Sequence, residues 1–233
     1  MKTVNIVLLV VATLLVGSSA ALATEVVLFQ DDFSGPLTWN YSDDSVYIKD
    51  NSFLYIGADG AYDDWAEKPI SLSLSSNPIV IEQRIKLESG GLNYRLPNQW
   101  VWFEDGRNVE VSYLQGSSDG WHFVEYTGDN NNPVPGEDYW AVTKMVLTST
   151  DGALYVKPDD ADRGWFSTEF YGVATATWSH SSITKIGFKQ PWDSVNYVDW
   201  IKVSQVPEPG TLALIAPALL GFAGIAFRRM RMA

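Results

Sequence analysis

The chain has 233 residues, ten tryptophans, no cysteine and a formal net charge of −12. A surface this acidic repels nucleic-acid phosphates and anionic headgroups, so no nucleic-acid partner is expected. Without disulfides the fold must rest on a hydrophobic core, for which the chain is long enough and to which the tryptophans bring much of the buried area. The basic residues Lys2, Arg228, Arg229 and Arg231 lie in apolar end segments that hold only one acid, Glu208, so the middle of the chain is more acidic still.

Met1 and Lys2 precede an almost uninterrupted apolar run, Val4 to Val16, which Gly17-Ser18-Ser19 breaks. Ala21-Leu22-Ala23 then supplies small residues where a signal peptidase reads. This pattern is that of a secretory signal peptide, 1–23, with cleavage after Ala23. The folded domain is expected over 24–206, one domain's worth of chain.

Within it the periodicity is two rather than 3.6. Ile79, Ile81, Ile85 and Leu87 alternate with Glu82, Arg84 and Lys86. Further strands are expected at 26–29, 45–49, 52–56, 70–74, 121–126, 139–149, 165–171, 173–178, 184–190 and 196–203. Asp105-Gly106 and Asp151-Gly152 each suit a tight two-residue hairpin loop. With the first loop so placed, Trp102 opposes Val109 and Trp100 opposes Val111, one apolar patch facing the core, with Val101, Phe103, Asn108 and Glu110 outward. With the second, Leu147 opposes Val156 and Ser149 opposes Leu154, so Leu147, Leu154 and Val156 face inward and Tyr155 outward. No segment has a helical pattern. The fold class is therefore all-β, an antiparallel β-sandwich or jelly roll.

The opening Gln30-Asp-Asp-Phe-Ser-Gly-Pro-Leu-Thr-Trp39 with Lys49-Asp-Asn-Ser-Phe-Leu-Tyr-Ile56 resembles the first strands of concanavalin A-like (laminin G-like) jelly rolls. Ile186-Gly-Phe188, Pro191-Trp192 and Asn196-Tyr-Val-Asp-Trp-Ile-Lys-Val203 resemble their closing strands. The resemblance implies a sandwich whose first and last strands pair. It speaks to fold, which does not settle function.

Some jelly rolls of this kind are glycosidases with Glu-x-Asp-x-x-Glu on one strand, a spacing that sets carboxylates on one face. That motif is absent. Glu104 and Asp105 are adjacent, so in a strand they would point to opposite faces, and they sit at a turn; Glu125 and Asp129 share a face only if a strand runs through Gly128. No Gly-x-Ser-x-Gly elbow and no His-Glu-x-x-His occurs, and the two histidines, His122 and His180, read as surface or interface polarity beside a tryptophan or serines. No catalytic residue is therefore assigned. Laminin G-like domains often hold calcium, and the acidic stretches at Asp59/Asp63/Asp64, 129–132 and 159–164 are the places to look. Asp159, Asp160 and Asp162 form the metal candidate, although Tyr171 stands where an EF-hand needs its glutamate. Pyranose faces stack on indole rings. Trp65, Trp140, Trp165 and Trp192, near loops rich in Asp, Gly or Pro, are the carbohydrate-binding candidates.

The chain ends in Pro207-Glu208-Pro209-Gly210, an apolar run from Leu212 to Phe227, and Arg228, Arg229 and Arg231. As a helix the run covers roughly 25 Å, a marginal membrane span, and the arginines would hold its end in the cytoplasm. The segment 207–233 resembles the PEP-CTERM sorting tail of bacterial exported proteins. That resemblance implies recognition and processing by exosortase after transient membrane anchoring, and delivery to the cell surface or extracellular matrix. A retained C-terminal anchor is the plainer alternative. Together these readings describe an exported, non-catalytic carbohydrate-binding protein with an extracellular polysaccharide as partner. A glycan-active enzyme with an unrecognised site and a purely structural surface protein are the alternatives.

Overall fold

The period-two pattern is built as strands almost throughout. A computed structural model of the protein describes residues 25–57, 64–88, 95–114, 120–123, 139–189 and 195–206. The expected leader and sorting tail, Trp192, and the acidic stretches 129–132 and 58–63 lie outside the described residues. The strands are β1 (Val26–Asp31), β2 (Asn40–Tyr41), β3 (Val46–Lys49), β4 (Phe53–Ile56), β5 (Trp65–Ser73), β6 (Ile79–Glu88), β7 (Arg95–Phe103) and β8 (Asn108–Leu114). They continue as β9 (Gly120–Phe123), β10 (Trp140–Leu147), β11 (Asp151–Asp160), β12 (Trp165–Phe166), β13 (Tyr171–Thr177), β14 (Ser182–Lys189) and β15 (Val195–Gln205). A 3₁₀ turn, Ala161–Arg163, is the only helical element among the described residues.

The strands form two sheets. One has nine strands in the order β12-β11-β10-β6-β15-β4-β3, with β1 on β15 and β13 on β11; the other has six, β2-β5-β14-β7-β8-β9. Opening and closing strands therefore pair, as the family resemblance implied. The sandwich lies in one compact unit, Val27–Gln205; the chain's ends fall in a second unit, nearly all of it outside the described residues. The inner faces supply the core: Ile79, Ile81 and Ile85 of β6, Val198, Ile201 and Val203 of β15, and Ile183, Ile186 and Phe188 of β14. The opening motif is framework. Asp31 accepts hydrogen bonds from the Phe33 backbone N–H (2.9 Å) and the Trp39 indole N–H (2.8 Å), and Trp39 stacks on Phe188 with centroids 5.5 Å apart.

Both hairpins differ from the expected register, with opposite consequences. In the first, Trp102 pairs with Asn108, Val101 with Val109 and Trp100 with Glu110. The loop has three residues, Glu104-Asp105-Gly106, closed by Phe103 N–H to Arg107 O at 2.8 Å, with Gly106 at φ +83°. This is the turn-plus-bulge loop in which glycine takes the left-handed position. A shift of one residue turns every side chain to the other face. Val101, Phe103, Val109 and Val111 are the core residues, and Trp100 and Trp102 stand on the outer face, half-buried. In the second hairpin Leu147 pairs with Gly152 instead of Val156. The loop is Ser149-Thr150, closed by Thr148 N–H to Asp151 O at 2.8 Å, and the Thr148 hydroxyl accepts from the Asp151 N–H at 3.1 Å. That shift of four residues is even, so Leu147, Leu154 and Val156 are buried as expected. The strand expected at 165–171 also divides, because Ser167 and Glu169 form a local turn between β12 and β13.

The first hairpin is clipped to the segment entering β14. Glu104 accepts hydrogen bonds from the Ser181 and Ser182 N–H groups at 2.8 and 3.0 Å. The Ser181 bond is the main reason its carboxyl is held at about 2, below the ordinary 4.5. A folded-state value below the unfolded one means that the clip stabilises fully above about pH 4.5 and fades as pH falls toward 2. Glu104→Gln should therefore lower the melting temperature at pH 7, and the gap to the parent should close as pH falls through that window. A gap independent of pH would show that the carboxylate charge contributes nothing to the clip.

Candidate functional site

The register of the first hairpin creates an aromatic-lined depression on the described surface. On the outer face of the six-stranded sheet, Gly187 pairs with Trp100 on one side and Glu67 on the other, and Lys189 pairs with Trp65. Trp65, Trp100, Trp102, Glu67 and Lys189 line a depression of about 180 Å³. The Trp100 and Trp102 rings lie 5.4 Å apart at 33°. Gly187 lets its neighbours close in: a Cβ there would stand 2.8 Å from the Ala66 carbonyl oxygen and 3.2 Å from the Trp102 ring, so the ring packs directly over the glycine backbone.

Charge is held close to these rings. Lys185 ion-pairs with Glu67 at 2.6 Å and stands 4.3 Å from the Trp102 ring centroid, while Lys189 stands 5.5 Å from that of Trp100. Ammonium groups over indole faces are attracted by the ring quadrupole. The Trp100 indole N–H is buried and has no hydrogen-bond partner. Such a donor costs roughly 1–3 kcal/mol while unpaired. Aromatic walls and a charged pair suit a ligand with apolar faces and hydroxyl rims.

The structure divides the other expected site residues. Trp65 joins this depression, beside two tryptophans that were expected in the core. Trp140 lies on the outer face of the nine-stranded sheet, with the Arg84 guanidinium 4.3 Å from its ring centroid and Phe53 5.4 Å away. Trp165, 42 % exposed, stands at the sheet edge with its ring 5.8 Å from that of Tyr139. The three aspartates of the calcium candidate do not converge. Strand β11 runs through Asp160, so Asp159 and Asp160 point to opposite faces. Asp159 is bound by Arg84 at 2.7 Å, whereas Asp160, 7 % exposed, accepts from the Trp140 backbone N–H at 3.2 Å. Asp162 sits on the exposed 3₁₀ turn. A cation here would have to displace an arginine and gather ligands from two faces, so these residues do not fit calcium. Among the described residues no cluster of three or more His, Asp or Glu side chains is placed to hold a metal ion.

No protein-family model matches the chain, and no curated protein does. Solved structures match at low identity. A Bacillus subtilis protein of unknown function with a galectin-like fold is 10 % identical, with a TM-score of 0.55, covering 79 % of this chain and 99 % of that one. Peanut lectin is 10 % identical, with a TM-score of 0.52, covering 78 % and 97 %. The VIP36 exoplasmic/lumenal domain, solved bound to Ca²⁺ and Man3GlcNAc, is 6 % identical, with a TM-score of 0.50, covering 73 % and 84 %. At these identities the likeness is one of fold: the described sandwich has the jelly-roll architecture of legume lectins and galectin-like proteins.

Proposed function

We propose that this protein is an exported cell-surface or matrix protein that binds carbohydrate without cleaving it, through the Trp65–Trp100–Trp102 depression. The observation that carries the binding half is three indoles lining one depression, beside an ion-paired Glu67 and Lys185. The fold of its structural neighbours, several of them lectins, supports the same reading. The export half rests on the leader-like 1–23 and on the Pro207-to-Arg231 pattern, whose resemblance to sorting tails implies signal peptidase and exosortase as processing partners. A neutral glycan is the ligand class this depression suits, and no calcium bridge is needed for it.

A glycan array with the purified protein, read with and without chelator, tests the binding. Binding should survive chelation and release no reducing sugar. Trp102→Ala and Trp100→Ala should each weaken it by about 2 kcal/mol, roughly 30-fold, as removal of a central aromatic anchor does, while the melting transition stays cooperative. Trp165→Ala should bind like the parent. Loss of binding in Trp165→Ala alone would move the site to the sheet edge, and reducing-sugar release would make the protein an enzyme. The intact mass of protein recovered from its own cells tests the export half. It should lack both Met1–Ala23 and the arginines of the tail; a membrane-bound product that retains Arg228 would be a plain anchor.

A further inference from the structure

The chain carries 28 acidic and 16 basic residues, yet the outer face of the nine-stranded sheet reverses that balance. Lys49, Arg84, Lys86, Lys144, Lys157 and Lys202 stand on it. Of the described carboxylates on the face, Asp159 and Asp199 are engaged by Arg84 at 2.7 and 2.9 Å and Glu82 by Lys202 at 3.5 Å, while Asp151 lies at its far end. Three of the lysines make no ion pair among the described residues and lie over rings instead. The Lys49 ammonium is 4.9 Å from both the Tyr55 and Tyr197 ring centroids, and Lys144 and Lys157 are 4.2 and 5.2 Å from that of Phe170.

The rings are ordered as well as numerous. Tyr47 pairs with Tyr55, Tyr55 with Tyr197, Tyr197 with Lys86, and Lys86 with Trp140. One row therefore crosses five neighbouring strands, a span of about 19 Å at the usual strand spacing. Its tyrosine rings follow one another at 4.8 and 5.3 Å. Tyr55, only 7 % exposed, is closed over by its neighbours and acts as packing; Tyr47, 44 % exposed, offers ring surface, while the half-buried Tyr197 carries the Lys49 and Lys86 ammonium groups over its ring at 4.9 and 4.7 Å and Trp140 carries Arg84. Lys49 donates to the Tyr197 hydroxyl at 3.1 Å, and this bond raises its pKa above the ordinary lysine value and keeps it charged.

We propose that the row Tyr47–Tyr197–Lys86–Trp140, with Lys49 beside it, is a second binding site that takes an acidic polysaccharide along its length. The exposed Tyr47 ring stacks on the C–H face of a sugar, and the ammonium groups along the row meet carboxylates carried by the same polymer. A linear row suits a chain molecule better than a compact ligand. An anionic membrane fits it less well, because a single row of side chains meets a chain molecule along its length but a planar surface only through its most exposed ring, Tyr47. The site lies on the other sheet from the tryptophan depression, and neither depends on the other.

The test uses the purified protein and polygalacturonate at low salt with chelator present. Its fully methyl-esterified form serves as the uncharged control, and phosphatidylglycerol vesicles as the membrane. Polygalacturonate should bind, the ester should not, and binding should weaken as salt rises. The Lys49→Gln/Lys86→Gln protein and, separately, Tyr47→Ala should each bind at least roughly tenfold more weakly. Tyr47 is exposed enough that its replacement leaves the fold intact. Both variants should bind a neutral glycan like the parent, so failure here is distinguishable from failure of the depression. Absence of polygalacturonate binding, binding that both variants retain, or tighter binding to the vesicles would each overturn the proposal.

Discussion

Arg84→Met should lower stability by about 2 kcal/mol, a fall of roughly 4–8 °C in melting temperature for a domain of this size. Arg84 sits on β6, near the centre of the nine-stranded sheet, and its guanidinium reaches both ways. It binds Asp159 of β11 at 2.7 Å and the Asp159 carbonyl at 3.1 Å, and it binds Asp199 of β15 at 2.9 Å. Trp140 of β10 covers its face. One side chain thus ties four strands. Methionine would leave two carboxylates on one face without their shared cation. Breaking a buried pair costs about 3–5 kcal/mol, and at 24 % side-chain exposure water recovers part of that. Arg84→Lys keeps the charge and loses the fork, so it should fall between the two. Adding Asp199→Asn to Arg84→Met should restore part of the loss, because one of the two orphaned charges is removed. Urea denaturation of the four proteins decides it. A methionine variant as stable as the parent would mean that solvent replaces the arginine at no cost.

The strands were legible in the sequence because alternation by two is a local property, readable wherever polar and apolar residues take turns. In β6 the alternation gave faces that the structure keeps. It failed where every position is apolar. Trp100-Val101-Trp102-Phe103 has no polar residue to mark the outside, so only the loop length could decide which pair faces the core. Reading the loop as two residues rather than three exchanged the pairs, and the tryptophans of the depression were assigned to the interior. The residues opposite held a signal: Lys185 and Lys189 flank Gly187 at period two, the mark of an outward face. Asp159 and Asp160 were read as a loop, and β11 runs through them, which separates two carboxylates that a loop would have let converge. The Arg84 cluster was beyond reach, since its acids lie 75 and 115 residues away along the chain.

Gly152→Ala should destabilise by about 2 kcal/mol, although alanine suits a strand better than glycine does. Gly152 was expected to turn the chain. It lies instead inside β11, opposite Leu147 and Ala176, where its lack of a side chain provides room. A Cβ there would overlap the Trp178 indole. That ring has little freedom to withdraw. Its N–H donates to the Thr148 carbonyl at 3.0 Å, its backbone N–H donates to Thr150 at 2.9 Å, and its face meets Phe103 at 5.4 Å. Overpacking of this kind costs about 1–3 kcal/mol, against a gain of about 0.4–1 kcal/mol from stiffening the unfolded chain. The cost should therefore win while the indole is present and vanish once it is gone. In a Trp178→Ala background, itself destabilised by loss of a large packed ring, Gly152→Ala should become neutral or slightly stabilising. A double-mutant cycle by thermal denaturation gives the coupling directly. Additive effects would show that Gly152 and Trp178 do not share the same space.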